Sequence, residues 1–397
     1  MNSVTSRIAL FFAAGLLVTD ASSAGAQEEG APLEAVPSRL RAPPIARAKS
    51  LSEQEDLLRH LIPLPGGRTG VKQGSSIRLT TLDRDLQTQL VQTLVNYQTP
   101  YSAVVALEPA TGRVLAMAEH SEFDPTLRGL PTKAVFPAAS VFKLVTASAL
   151  LKEGVTPEDV RCFHGGKRKL NERLLSESSR DSQCLTLSTA LAKSANVIFA
   201  KWTMEKLTPD LLAAMALKYR FNRPLAFPIL PEISQAAFPA DRFDFASTGA
   251  GFGDVYLSPL HAAALVSVAA NEGIWKDPVL FEEARSSGPF ERIIPAEDAH
   301  RLADMMEETV THGTARRIFQ QPGHRIEGAV GKTGSLADRK PFRDYSWFVG
   351  YAPKNHPQIA VAAVIVNGAK WRVRAPFLAR EAMRIYLDRK NRRVASR

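Results

Sequence analysis

The chain has 397 residues, 45% hydrophobic and 23% charged, with a formal net charge of +10. That apolar fraction suits a packed globular protein and excludes wholesale disorder, a collagen-like fibre and a polytopic membrane protein, and the length sets a prior of two or three domains. Ten basic and two acidic residues lie between Lys370 and Arg397, so the body is near neutral, which argues against a nucleic-acid-binding surface.

The chain opens with Arg7, an eleven-residue apolar run from Ile8 to Val18, and Ala24-Gly25-Ala26. A charge, a short apolar core and an A-x-A site form a secretory signal over residues 1–26, cleaved before Gln27. The run is too short for a membrane span, which needs about 20 residues. The mature protein is therefore expected outside the cytoplasm, in the periplasm or associated with the cell envelope. Cys162 and Cys184 are the only cysteines. They are too few for a disulfide scaffold and offer no CxxC zinc pair, and no metal site is expected. In an oxidising compartment they can pair, which would contribute about 3 kcal/mol; two separate thiols are the alternative.

Residues 27–75 read as a linker and a short N-terminal segment. The stretch over 27–50 is rich in Ala, Pro and Glu, and a short helix over 51–62 is stopped by Pro63, Pro65, Gly66 and Gly67. The globular region is expected from Ser76 to about residue 390. A helix is predicted over Asp83–Tyr97, with Leu86, Leu90, Val91 and Leu94 at helical spacing. Strands Ser102–Leu107 and Arg113–Ala118 flank a turn at Glu108–Gly112. From Ser140 to about Tyr219 the pattern is helical with no strand, and a helical lobe is expected over 140–260. Ser258-Pro259 caps a helix that stops at Gly273. Another helix runs from Pro295 to Gly313. Strands follow at Gly328–Ser335, Ser346–Ala352 and Ile359–Val366, then a helix over Pro376–Arg389. Residues 391–397 form a basic tail, read as a solvated terminus or a contact for an anionic membrane or wall polymer. The fold class is α+β: a five-stranded antiparallel sheet flanked by helices, with an inserted all-helical lobe. A cleft at the junction of sheet and lobe is the expected site.

Three short motifs carry candidate chemistry. Ser140-Val141-Phe142-Lys143 places a hydroxyl and an amine at i and i+3, on one helix face. Serine needs a base to act as a nucleophile, and a lysine whose pKa is lowered by burial or a neighbouring cation can be that base. A chain this long shows S-x-x-K about once by chance, and a capping serine with a solvated lysine fits the same residues. Ser194-Ala195-Asn196 also fits a helix end. Lys332-Thr333-Gly334-Ser335 ends an apolar strand with a cation, two hydroxyls and a glycine that admits a substrate backbone; an edge-strand lysine that resists aggregation is its ordinary reading. Gly328–Thr333 superficially matches a phosphate-binding loop, but Ile326 stands where that motif requires glycine. Gly249-x-Gly251-x-Gly253 lacks a preceding strand and reads as a turn. No H-E-x-x-H or G-x-S-x-G occurs.

The order S-x-x-K, S-x-N, K-T-G is what joins them, because joint chance occurrence is small. From about Ser76 to Leu387 the sequence resembles the transpeptidase domain of penicillin-binding proteins. Further points of resemblance are Leu79–Asp83, the Glu108–Gly112 turn, Val114–Met117, Gly313-Thr314-Ala315 and Trp347–Gly350. The resemblance implies a peptidoglycan D,D-transpeptidase or D,D-carboxypeptidase with Ser140 as nucleophile and Lys143 as its base. It implies proton relay through Ser194, helped by Lys143 and Lys332, and an oxyanion site at the backbone N–H groups of Ser140 and Ser335. Asn196 would hold the substrate amide, Lys332, Thr333 and Ser335 would bind its terminal carboxylate, and Gly334 would let its backbone approach the strand edge. It implies no cofactor, stem peptides and β-lactams as ligands, and a monomer or a member of a wall-synthesis complex. Residues 27–75 are too short for the N-terminal module that many members carry. A class D-like serine β-lactamase and a penicillin- or wall-binding module without turnover are the rival readings. Asn196 stands where the former usually has an aliphatic residue, and the sequence lacks the E-x-x-L-N of class A enzymes.

Overall fold

The longest apolar runs in the chain pair with one another. The computed structural model describes residues 60–166, 170–284 and 291–395. The expected signal segment, the 27–50 linker and residues 51–59 of the short helix lie outside them. Strands β1 (Tyr101–Leu107), β2 (Val114–His120), β3 (Val330–Arg339), β4 (Phe342–Ala352) and β5 (Ile359–Asn367) form one sheet in the order β3-β4-β5-β1-β2. Every neighbouring pair is antiparallel. All residues of β1 and β5 are buried. Such runs are unbroken rather than alternating because both faces of the sheet are covered.

Helix α1 (Arg84–Asn96) is capped by Asp83, whose carboxylate accepts from the Leu86 N–H, and buries Leu86, Leu90 and Leu94. The lobe inserted after β2 holds α2 (Lys143–Lys152), α3 (Leu187–Ala192), α4 (Asn196–Lys206), α5 (Pro209–Lys218) and α6 (Arg242–Gly249). Helix α7 (Pro259–Ala270) starts at the predicted Ser258 cap with proline in its first turn and packs on the sheet. Helix α8 (Ala296–Thr311) packs against both β3 and α3, and so ties the sheet edge to the lobe. Helix α9 (Ala375–Ala395) covers β4 and β5 beside α1. With α1 and the sheet it closes a core that includes Leu90, Val104, Ala116, Phe348, Val361 and Leu378.

The structure departs from expectation in four places. Residues 140–219 are not wholly helical: Val160–Phe163 and Gln183–Thr186 pair as a hairpin, with Cys162 opposite Cys184 and the two joined in a disulfide. Strands of four residues are too short to show a period, and here a covalent bond holds them. The folded region also begins before Ser76, because Thr69–Gln73 pairs with Ser76–Thr80, and Ile62–Pro63 pairs with the former. Strands β3 and β4 run past Ser335 and start before Ser346, meeting at Lys340-Pro341; charged, exposed residues there hide the pairing from a hydrophobicity reading. Finally, α9 continues through 391–395, so that part of the predicted tail is helical, and Arg389 near its end pairs with Asp83 and Asp85 at the start of α1.

Candidate active site

Ser140 sits in a tight helical turn, Ala139–Val141, that leads directly into α2. Ala139 holds a left-handed φ of +47°, which costs a residue with a Cβ about 1–2 kcal/mol, so the surroundings must impose it. Three contacts do. Trp347 of β4 donates its indole N–H to the Pro137 carbonyl at 2.9 Å. Gly334 of β3 lies against the turn, where a Cβ would sit 3.2 Å from Val141 Cγ2 and 3.0 Å from Trp347 Cβ. Gly251, at φ +88°, lies so close on the other side that a Cβ would come within 2.2 Å of the Ala139 carbonyl oxygen.

Lys143 is fully buried at the first position of α2. Its Nζ lies 2.8 Å from Ser140 Oγ, 2.7 Å from Asn196 Oδ1 and 2.6 Å from the Ala250 carbonyl oxygen. Burial, and then the charge of Lys332, hold its pKa well below the usual lysine value. The three partners suit a neutral amine. Two N–H groups donate to the two carbonyl-type oxygens, which leaves the lone pair facing the only partner that can donate, the Ser140 hydroxyl.

The second group comes from the end of α3. Ser194 adopts φ +54° just past that helix. Its N–H donates to the Leu191 carbonyl and the Ala195 N–H to Ala190, a helix stop that usually employs glycine. A serine placed there carries strain but aims a hydroxyl at Lys332, a combination found at functional sites. Lys332 Nζ donates to Ser194 Oγ at 2.9 Å and to the Thr333 carbonyl at 2.8 Å. Lys332 is completely buried, and desolvation lowers its pKa to about 7. Asn196 opens α4 two residues beyond Ser194, which is how its amide oxygen reaches Lys143.

The structure thus brings Ser140, Lys143 and Asn196 into one bonded cluster, and Ser194, Lys332 and Thr333 into another, at the junction of sheet and lobe. Ser140, Ser194 and Thr333 are partly open and Ser335 is exposed, so hydroxyls rim two sealed amines. Gly334 differs from expectation: its bare Cα faces the Ser140 turn, and it admits that turn against the strand. Sequence reading missed three participants. The Ala250 carbonyl is an acceptor for Lys143, and its signal was the cluster of glycines at 249, 251 and 253, read only as a turn. Thr314 shares a 2.6 Å hydroxyl contact with Thr333 and donates its N–H to the Ala192 carbonyl, bridging the sheet edge to α3. Trp347 anchors the Ser140 turn. Among the described residues no cluster of His, Cys, Asp or Glu could hold a metal ion, and no helix is long and apolar enough to cross a membrane.

A family model described as the penicillin binding protein transpeptidase domain matches residues 102–384. The peptidoglycan D,D-transpeptidase PbpA of Mycolicibacterium smegmatis is 27% identical over 307 residues, covering 67% of this chain and 62% of its own length. This chain therefore matches less than two thirds of that relative. The D,D-transpeptidase domain of a peptidoglycan glycosyltransferase from Eggerthella lenta superposes with a TM-score of 0.67 at 21% identity, over 89% of this chain and 91% of that one. The imipenem acyl-enzyme complex of penicillin-binding protein A from Mycobacterium tuberculosis gives a TM-score of 0.59 at 22% identity, over 78% and 79%. At these identities the structural likeness concerns the fold.

Proposed function

The chain belongs to the penicillin-binding protein transpeptidase family, and proceeding from that membership we propose that it is a peptidoglycan D,D-transpeptidase acting through a serine acyl-enzyme. The observation that carries this reading is the 2.8 Å contact between Ser140 Oγ and a buried Lys143 whose other partners, Asn196 Oδ1 and the Ala250 carbonyl, are uncharged acceptors. In the proposed reaction Lys143 takes the hydroxyl proton as Ser140 Oγ attacks the carbonyl between the two terminal D-alanines of a stem peptide. The backbone N–H groups of Ser140 and Ser335 receive the developing oxyanion, a contribution of about 3 kcal/mol for each donor. The proton passes through Ser194, beside Lys332, to the leaving amine, and D-alanine departs. Lys332, Thr333 and Ser335 hold the substrate's terminal carboxylate, with Thr314 fixing the Thr333 hydroxyl. Asn196 holds the substrate amide. An amine of a neighbouring strand then resolves the ester; water in that role gives a D,D-carboxypeptidase.

A β-lactam presents the same acyl group on a ring that stays attached after opening, so the adduct blocks the resolving nucleophile. Mass spectrometry with excess penicillin should show one adduct per chain, on the peptide containing Ser140, absent in Ser140→Ala. An adduct that turns over many times per second would instead mark a β-lactamase. A folded protein that forms no adduct would overturn the acyl-enzyme reading. Arg7, the Ile8–Val18 run and Ala24-Gly25-Ala26 support export to the cell envelope. The intact mass of protein from its own envelope should begin at Gln27; retention of Met1 in a membrane-bound form refutes cleavage.

A further inference from the structure

We propose that the end of the sheet beyond the cleft, formed by the β3–β4 hairpin and the segment between β5 and α9, is a second binding surface for an anionic glycan–peptide strand of the cell wall. The proposal rests on the transpeptidase reading and extends it to where the polymer runs. The two segments are adjacent. Asp344 pairs in register with Asn367, Arg374 pairs with Asp344, and the Arg374 guanidinium lies 5.2 Å from the Trp371 ring centre. Residues 339–343 and 368–374 contain six Lys and Arg and no acid. The flanking acids are already engaged, Asp338 by Arg343 and Asp344 by Arg374. Arg339, Lys340, Lys370 and Arg372 are exposed and make no ion pair among the described residues. Between these cations stand two exposed aromatic rings, Trp371 at 54% and Phe342 at 46%.

Unpaired cations beside bare aromatic rings fit a ligand with carboxylates and with apolar C–H faces. A wall strand has both, in its stem peptides and its sugar rings. Continuity with the cleft favours this occupant over a lipid surface. Ser335, Ala337 and Arg339 fall on one side of β3 by the two-residue period, and all three are exposed. An extended chain seated at Ser335 and following this edge reaches Arg339 within four residues, about 13 Å.

The test is co-sedimentation of the purified protein with insoluble peptidoglycan, with acylation by labelled penicillin measured on the same samples. The wild type should sediment, and the bound fraction should fall as salt rises. The combined variant Arg339→Glu, Lys340→Glu, Lys370→Glu, Arg372→Glu should bind at least tenfold more weakly while Ser140 acylates at the wild-type rate. Trp371→Ala alone should weaken binding about threefold or more. Wild-type sedimentation by the charge-reversed variant overturns the proposal. So does binding to vesicles of anionic phospholipid with none to peptidoglycan, which would assign the surface to a membrane. Absence of acylation in the wild type would overturn instead the catalytic reading beneath it.

Discussion

Two lysines are buried in the helical lobe, and their surroundings put them to opposite uses. Lys143 meets a hydroxyl, an amide oxygen and a backbone carbonyl. Lys201, on α4, meets Asp181 at 2.7 Å, Glu177 at 3.6 Å and the Cys162 carbonyl at 3.1 Å. Hydrogen bonds from His164 and from Lys201 pull the Asp181 carboxyl down to about 2. A buried lysine supplied with a carboxylate becomes a strut, here tying the disulfide hairpin to the helix that begins at Asn196. A buried lysine denied one is held well below its usual pKa, as Lys143 is, and in the proposed reaction it serves as the base. The difference lies in what the fold places within 3 Å of the amine.

Four measurements would break or sharpen that contrast. The largest effect is expected from Lys143→Arg, which puts a permanent cation in place of an amine that burial favours in its neutral form. Penicillin acylation of Ser140 should fall by about a thousandfold or more in protein that remains folded, with a lowered melting temperature because the buried guanidinium has no carboxylate partner; near-normal acylation would place the base elsewhere. Next, Asp181→Asn leaves Lys201 buried with Glu177 as its only nearby carboxylate among the described residues. The cost should be about 2–3 kcal/mol in denaturant unfolding, less than for a fully sealed pair because Glu177 remains close, while acylation changes by less than about twofold. Because the carboxyl is depressed, its contribution is complete above its ordinary value of 3.8 and is lost as pH falls toward 2. The wild type should lose more stability over that window than the variant, and equal losses would refute the strut.

Lys332 supplies the third measurement. Its amine must be charged to hold a carboxylate, and its pKa in the free protein is about 7. The second-order rate of acylation should therefore decline as pH rises through 7, by about tenfold per unit well above it. Lys332→Arg should remove that limb. A flat profile between pH 6 and 9 in the wild type would show that the cation is not required. The smallest effect concerns the bridge from α3 to the sheet edge. Thr314→Val deletes the hydroxyl contact to Thr333 but keeps the shape, and should slow acylation about fivefold, the worth of one hydrogen bond. No change would assign Thr314 to packing alone.

Much of this site is legible in the sequence. Ser140 and Lys143 are three residues apart, so the helix period alone makes them neighbours. The unbroken apolar runs at 102–107 and 359–366 announced strands covered on both faces. What escaped was of two kinds. Short strands such as Val160–Phe163 carry too few residues to show a period, and the charged β3–β4 hairpin has no apolar face to reveal it. Backbone groups escaped altogether: no side-chain pattern encodes that the Ala250 carbonyl accepts from Lys143, or that Gly334 receives the Ser140 turn.

The sequence by itself determined which groups are present and which of them are local partners: the Ser140 hydroxyl with Lys143, the serine and asparagine of the helix stop, and the cation and hydroxyls of one strand. Local spacing suffices for these because helix and strand periods are set by backbone geometry. Only the tertiary structure decided that the three motifs converge. The distance from Ser194 to Lys332 is 138 residues in the chain and 2.9 Å in space. That contact exists because α8 packs against both α3 and β3. The tertiary structure also decided the protonation of the amines, since a pKa depends on burial and neighbours that no linear pattern records. Lys143 and Lys201 are the same residue type on two helices of one lobe, and packing alone gives one a hydroxyl and uncharged acceptors and the other a carboxylate.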